Sequence, residues 1–329
     1  MRLMSALLLV LFAGATALAQ TGASSRDAPG PFDIAIEQDI WTDAARGRDV
    51  PVTIYRPAGD GPFPVIVFSH GLGGSRDAAP YLGRHWASWG FVGVFVQHPG
   101  TDQSVWQGLP RTEVMTALRR AARSPRAARN RFEDIPFVLD RIEALAESGD
   151  LPADPARMGI AGHSYGAHTV MAALGRDYGA IARLELDDPR LIAGAALSPP
   201  PGNRRTRGGA VYEGIAEPVL HLTGTEDSSP MDGDATPEDR LEAFESMGPA
   251  PQYLLIFDGG DHSVFGGRTR PGQPTPEIYP AIQADVAAAT TLFFEAWLNG
   301  NAGARTALDG PDFITRFSPR AEARRRNLP

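Results

Sequence analysis

The stretch Arg157-Met158-Gly159-Ile160-Ala161-Gly162-His163-Ser164-Tyr165-Gly166 carries the residues best suited to chemistry. It reads as a short apolar strand, a Gly-x-Ser-x-Gly turn, and a helix over about 165–176. Such a turn strains the central serine, and only glycine neighbours let it pack closely between strand and helix. Ser164 Oγ is thereby pushed out at the C-terminal edge of a sheet, and the free N–H groups at the start of the following helix can stabilise a developing oxyanion. Gly-x-Ser-x-Gly also occurs by chance in ordinary turns. The strand before it and the helix after it favour a nucleophile elbow.

A serine hydroxyl is a weak nucleophile at neutral pH and needs a base, which in turn needs an acceptor to fix its tautomer. After an apolar run at 218–222, Thr223-Gly224-Thr225-Glu226-Asp227 places a carboxylate at a strand's C-terminal edge. After a second run at 252–257, Asp258-Gly259-Gly260-Asp261-His262-Ser263 places an imidazole in the next loop. Asp227 is the expected acid, with the adjacent Glu226 the weaker candidate, and His262 is the expected base. The other histidines fit the role less well: His163 precedes the nucleophile, His168 is expected to face outward, His221 lies mid-strand, and His85 and His98 read as structural. Tyr165 N–H should supply one oxyanion donor. The glycine-rich loop His70-Gly71-Leu72-Gly73-Gly74, through Leu72 N–H, should supply the other.

Positioning these residues requires a parallel sheet. Two strands at 32–42 and 49–57, joined by a polar turn, form an antiparallel hairpin. Continuous apolar runs at 62–69 and 91–96 read as strands covered on both faces, separated by a helix over about 77–89. A helical repeat of apolar residues covers about 130–147. Further strands fall at 191–197, 218–223 and 252–258, with helices around 237–247 and 278–298. Strands alternating with helices after an opening hairpin imply an α/β fold with a doubly wound, mostly parallel sheet. The loop at 199–217 is too short for a large cap domain. Seven arginines fall between Arg111 and Arg131, where Glu113 is the single acidic residue. That run suits an anionic contact surface, but charge runs are more often solvated faces, and a solvated helical excursion is the preferred reading.

The 329-residue chain is long enough for one large domain. It opens with Met1-Arg2, an apolar run and Ala17-Leu18-Ala19, the parts of a secretory signal peptide (1–19) too short to span a bilayer. A small, polar, flexible lead-in (20–31) precedes the main domain (32–300), and a C-terminal extension (301–329) follows. Loss of Arg2 on cleavage moves the formal charge from −8 to −9. No cysteine is present, so disulfides and a lipid-modified cysteine are excluded. Export without cysteines fits a bacterial periplasm or medium. All 31 basic residues are arginine, which codon bias explains. The net acidity argues against nucleic acid as partner, and no motif predicts a metal or other cofactor.

Phe68-Ser69-His70-Gly71-Leu72-Gly73, Ser88-Trp89-Gly90-Phe91-Val92 and Gly162-His163-Ser164-Tyr165-Gly166 resemble the α/β-hydrolase branch that contains platelet-activating-factor acetylhydrolases and dienelactone-hydrolase-like proteins. The resemblance spans roughly 30–300. It implies an α/β-hydrolase fold and a serine carboxylic-ester hydrolase with Ser164 as nucleophile, Asp227 as acid, His262 as base, and Leu72 and Tyr165 as oxyanion donors. The implied substrate is a small-molecule or lipid ester, without stable membrane insertion. Ala167 replaces a glycine frequent after the elbow, and the absence of a cysteine nucleophile counts against dienelactones. A phospholipid acetylhydrolase or polyesterase is the alternative within hydrolases. A non-catalytic binding protein on the same fold is the alternative of another class.

Overall fold

The computed structural model describes residues 26–179, 186–201, 209–231, 233–267 and 274–328. The expected signal peptide and the lead-in up to residue 25 lie outside them. In chain order the elements are β1 (Ile34–Asp43), β2 (Arg48–Pro57), β3 (Phe63–Ser69), α1 (Pro80–Ser88), β4 (Val92–Val96), α2 (Arg111–Ala122) and α3 (Pro125–Ser148). Then come β5 (Ala153–His163), α4 (Tyr165–Ala173), β6 (Leu191–Leu197), β7 (Val219–Glu226), α5 (Glu242–Ser246), β8 (Gln252–Asp261) and α6 (His262–Phe265). The chain finishes with α7 (Tyr279–Trp297), α8 (Ala302–Asp309), α9 (Pro311–Phe317) and β9 (Ala321–Arg326).

One sheet runs β1-β2-β4-β3-β5-β6-β7-β8-β9. The pairs from β4 through β8 are parallel, while β1–β2, β2–β4 and β8–β9 are antiparallel. Apolar side chains on both faces of the central strands explain why those strands read as unbroken apolar runs. One face packs under α1 and α7 through Trp86 and Phe294. The other packs under α3 and α4 through Val138, Ile142 and Val170. This is the doubly wound α/β-hydrolase architecture with its antiparallel N-terminal hairpin.

Several boundaries differ from expectation for identifiable reasons. α1 starts at Pro80 rather than 77, because Ala79 is left-handed (φ 48°) and proline suits the first helical turn. α3 starts at Pro125, where Ser124 Oγ accepts Ala127 N–H at 3.2 Å, five residues before the apolar repeat begins. α4 stops at Ala173, just before Gly175 at φ 102°. The described end of the lead-in is anchored: Arg26 is 8% exposed and pairs with Glu295.

The boundary drawn at residue 300 is not one in the packing. α8, α9 and β9 continue the same domain, burying Leu308, Phe313 and Phe317, and β9 pairs along the whole of Gln252–Phe257. The sequence Ala321-Glu322-Ala323-Arg324-Arg325-Arg326 hides a strand because it is an edge strand, where charge blocks further pairing.

Four histidines lie away from the expected triad, His98 and His221 buried and His85 and His168 partly buried. Burial pushes His85 and His98 down to about 4, and His168 and His221 to about 3. In the unfolded chain each titrates near 6.5. Between pH 6.5 and 4 the unfolded chain therefore binds more protons, and stability falls as pH drops through that window. Urea-unfolding midpoints should decline steadily from pH 7.5 to pH 5, and His221→Gln should reduce the slope. A midpoint constant over that range would contradict the burial of these rings as neutral species.

Candidate active site

The end of β5 and the start of α4 form the elbow. Ser164 stands at φ 54°, ψ −117°, a strained conformation for a non-glycine residue. Its N–H is held by Leu197 O at 2.9 Å. The flanking glycines are required by contact: a Cβ on Gly166 would lie 1.9 Å from Ser69 O, and one on Gly162 would lie 2.4 Å from Gly166 O. Ala167, the next residue of α4, is buried.

His262 opens α6 directly after β8. Asp261 fixes that turn by accepting Ser263 and Val264 N–H at 2.9 and 3.1 Å, and Tyr279 Oη donates to it at 2.6 Å. His262 Nε2 lies 2.9 Å from Ser164 Oγ, and Nδ1 lies 2.8 Å from Asp227 Oδ1. The three sequence-predicted side chains thus form one hydrogen-bonded chain. Glu226 is exposed and takes no part.

Asp227 is fully buried. Burial alone would raise its pKa. The hydrogen bond and charge of His262, the charge of Arg240 and the hydrogen bond from Ser198 outweigh that and hold the carboxyl below the usual range. Thr223 Oγ1 donates to Oδ2 at 2.8 Å, and Arg240 Nε lies 2.9 Å from Oδ1.

Sequence reasoning missed Ser198. It follows β6 at φ 54°, with Oγ 2.7 and 2.6 Å from the two Asp227 carboxylate oxygens and 2.8 Å from His262 Nδ1. Its hydroxyl donates to the carboxylate and accepts from the imidazole. The available signal was positional: β5, β6, β7 and β8 are neighbours, and the residue after β6 must lie between those delivered by β5 and β7.

Leu72 sits in a turn closed by Gly74 N–H to Gly71 O at 2.9 Å, with Gly73 at φ 69°. His98 N–H donates to His70 Nε2 at 3.1 Å, so Nδ1 carries the proton and donates to Gly71 O at 2.6 Å, pinning the loop. Neither Leu72 N–H nor Tyr165 N–H has an acceptor among the hydrogen bonds of the described residues. Both residues border Ser164.

The other histidines have separate places. His163 donates from Nε2 to His262 O at 2.9 Å and so steadies the candidate base. His168, expected to face outward, is covered by Tyr178, whose hydroxyl lies 3.1 Å from Nδ1. His221 is buried beside Gln252 with no hydrogen bond of ordinary geometry to either ring nitrogen. Among the described residues no cluster of His, Asp or Glu has metal-binding geometry.

A cavity of about 230 Å³ opens onto Ser164 and His262, walled by Leu72, Ala78, Met115, Leu118 and Met231, with no charged side chain in its described lining. A more open groove of about 580 Å³ lies under α2 and α3, lined by Arg48, Arg120 and Arg126 and away from the triad. Six of the seven arginines of the run thus lie exposed on α2, α3 and the turn between them, while Arg131 is buried and Met115 and Leu118 of α2 face the cavity.

Residues 51–114 match the sequence family described as platelet-activating factor acetylhydrolase, isoform II. The stretch covers β2 through the start of α2 and includes Leu72, but none of Ser164, Asp227 and His262. No curated protein matches the chain. The match supports the resemblance to the acetylhydrolase branch of the α/β-hydrolases, and with it a hydrolase of the ester-cleaving type.

Asp227→Asn should lower kcat by about 10⁴, the loss seen when a triad loses the acid that fixes its imidazole tautomer, while Glu226→Gln stays near wild type. Ser198→Ala should lower kcat on the order of tenfold with KM unchanged, the weight of one hydrogen bond to a charged group. Steady-state kinetics on p-nitrophenyl acetate check both. An inactive Glu226→Gln beside an active Asp227→Asn would reverse the assignment of the acid.

Proposed function

We propose that this chain is an exported serine carboxylic-ester hydrolase acting on short-acyl esters through an acyl-enzyme. The observation that carries the reading is the single imidazole bridging Ser164 Oγ and the buried Asp227 carboxylate. Ser164 Oγ attacks the acyl carbon as His262 Nε2 takes its proton, and the carbonyl electron pair moves to oxygen. Leu72 and Tyr165 N–H groups hold that oxyanion. Collapse expels the alcohol, which receives the proton from His262. Water, activated by the same imidazole, then releases the acid and restores Ser164. Asp227 keeps Nδ1–H pointed away from Ser164 throughout, leaving Nε2 free to accept.

The small, uncharged cavity favours short, neutral acyl groups. The match to the acetylhydrolase family favours a second reading, short-acyl phospholipids, and polyesters are a third substrate class for the same chemistry. Export rests on the character of residues 1–19 and places the enzyme in a bacterial periplasm or medium.

A fluorophosphonate probe should label the folded protein and fail to label Ser164→Ala; equal labelling of both removes Ser164 as nucleophile. Across p-nitrophenyl esters, kcat/KM should fall on the order of tenfold from butyrate to octanoate as the chain outgrows the cavity. A preference for octanoate would contradict the assignment of the cavity as acyl site. Turnover of a short-acyl phospholipid decides for the second reading, and its absence leaves the simple esterase. N-terminal sequencing of the secreted product should begin after Ala19.

A further inference from the structure

Arg131 of α3 is completely buried, and its guanidinium donates to neutral acceptors only. Nη2 donates to Ser69 Oγ at 2.8 Å and to His70 O, Nη1 to Thr101 Oγ1 at 2.9 Å, and Nε to Thr169 Oγ1 at 2.8 Å. The guanidinium also lies 5.0 Å from the centre of the Tyr165 ring. One cation therefore touches the end of β3, the loop after β4 and the first turns of α4. Thr101 O in turn accepts Gly73 N–H at 2.8 Å, next to Leu72. These are the segments that carry both proposed oxyanion donors.

No carboxylate lies within ion-pair distance of Arg131 among the described residues. Asp134 is reached only through Ser69 and His98. Ser69 Oγ donates to His98 Nε2 at 3.0 Å, and His98 Nδ1 donates to Asp134 at 3.0 Å. Asp134 is already paired with Arg46 and Arg48 at 2.9 and 2.8 Å. Asp102 is engaged by Gln97 at 2.7 Å and Ser104 at 2.5 Å. His98 stays neutral, so the nearest compensating charges, Asp134 and Asp102, act on Arg131 only at a distance and not through a direct ion pair. Burial lowers Arg131 only to about 10, which keeps it cationic at neutral pH.

A buried charge with no carboxylate in contact is costly to stability, and the field of this one falls on the segments that carry the proposed oxyanion donors. We infer that Arg131 is a positioning residue of the oxyanion hole: its fixed positive charge sits behind the Leu72 and Tyr165 N–H groups and favours the negative oxygen of the tetrahedral intermediate. The inference rests on the serine-esterase reading above. In a site with few competing dipoles such a charge acts over several ångströms without reorganising.

The test uses a trifluoromethyl ketone labelled with carbon-13 at the carbonyl. Ser164 Oγ bonds to the ketone carbon, the carbonyl pair passes to oxygen, and the Ser164 proton passes to His262. Carbon NMR then titrates the hemiketal oxygen. Arg131→Gln, which keeps a donor near Ser69 but removes the charge, should raise the pH of that titration by roughly one unit. It should also lower kcat on p-nitrophenyl acetate on the order of tenfold with KM unchanged. Arg131→Lys, which keeps the charge, should titrate near wild type.

Each variant is first shown to be folded by a cooperative melting transition, and Arg131→Met supplies a second uncharged side chain if the glutamine does not fold. A folded neutral variant that titrates like wild type overturns the inference, as does a lysine variant displaced as far as the neutral one. A wild-type protein that forms no hemiketal overturns the serine reading itself, which is a distinct result.

Discussion

The first turn of α4 lies so close to the end of β3 that the geometry of the site depends on it. No side chain of any size fits at Gly166, because Ser69 O occupies the position its Cβ would take. An alanine there would have to push strand and helix apart by about an ångström, the displacement that costs well-oriented catalysis orders of magnitude. This contact keeps Ser164 strained at the edge of the cavity that Leu72 also lines. It also leaves the space that Arg131 fills. The proposed nucleophile, the proposed oxyanion donors and the buried cation all depend on this one approach of backbone to backbone.

The sheet supplies the rest by adjacency. Neighbouring parallel strands end at the same edge, about 4.8 Å apart. β5, β6, β7 and β8 deliver Ser164, Ser198, Asp227 and His262 in spatial order, with β3 delivering the Leu72 loop on the other side of β5. The imidazole, carried on the farthest strand of the four, reaches back over Ser198 and Asp227 to Ser164. That span explains why the turn after β8 is tied so firmly, by Asp261 from within and by Tyr279 from α7.

Much of this was legible because apolar runs mark parallel strands and the elbow has a strong local signature. Ser164, Asp227 and His262 could be picked by where strands end, and the structure brings those same three together. What escaped notice had no local signature. β9 is an arginine-rich edge strand, α8 and α9 bury their apolar residues only because α7 and β8 are already in place, and Ser198 looks like any serine before prolines. Arg131 sits in a run of arginines whose other members are mostly solvated. Only the helix phase, with Phe132 and Ile135 turning inward beside it, separates it from the rest.

Asp227 shows how a buried charge is made tolerable without losing its function. A carboxylate offers about four acceptor sites; here Ser198, Thr223 and His262 donate to it, and Arg240, whose Nε–H donates to the Asp227 backbone carbonyl, pairs with its charge. Filled on all sides and sealed from water, the group can neither rotate nor readily protonate, so its one remaining degree of freedom is the strength with which it holds Nδ1–H. Arg131 is the opposite case: its donors are used on neutral oxygens, and the carboxylates of Asp134 and Asp102 act on its charge only at a distance. In the proposed mechanism the site thus sets a carboxylate behind the imidazole and, behind the oxyanion donors, a cation with no carboxylate in contact. That polarity matches the charge separation of the tetrahedral intermediate, negative at the substrate oxygen and positive at the imidazole.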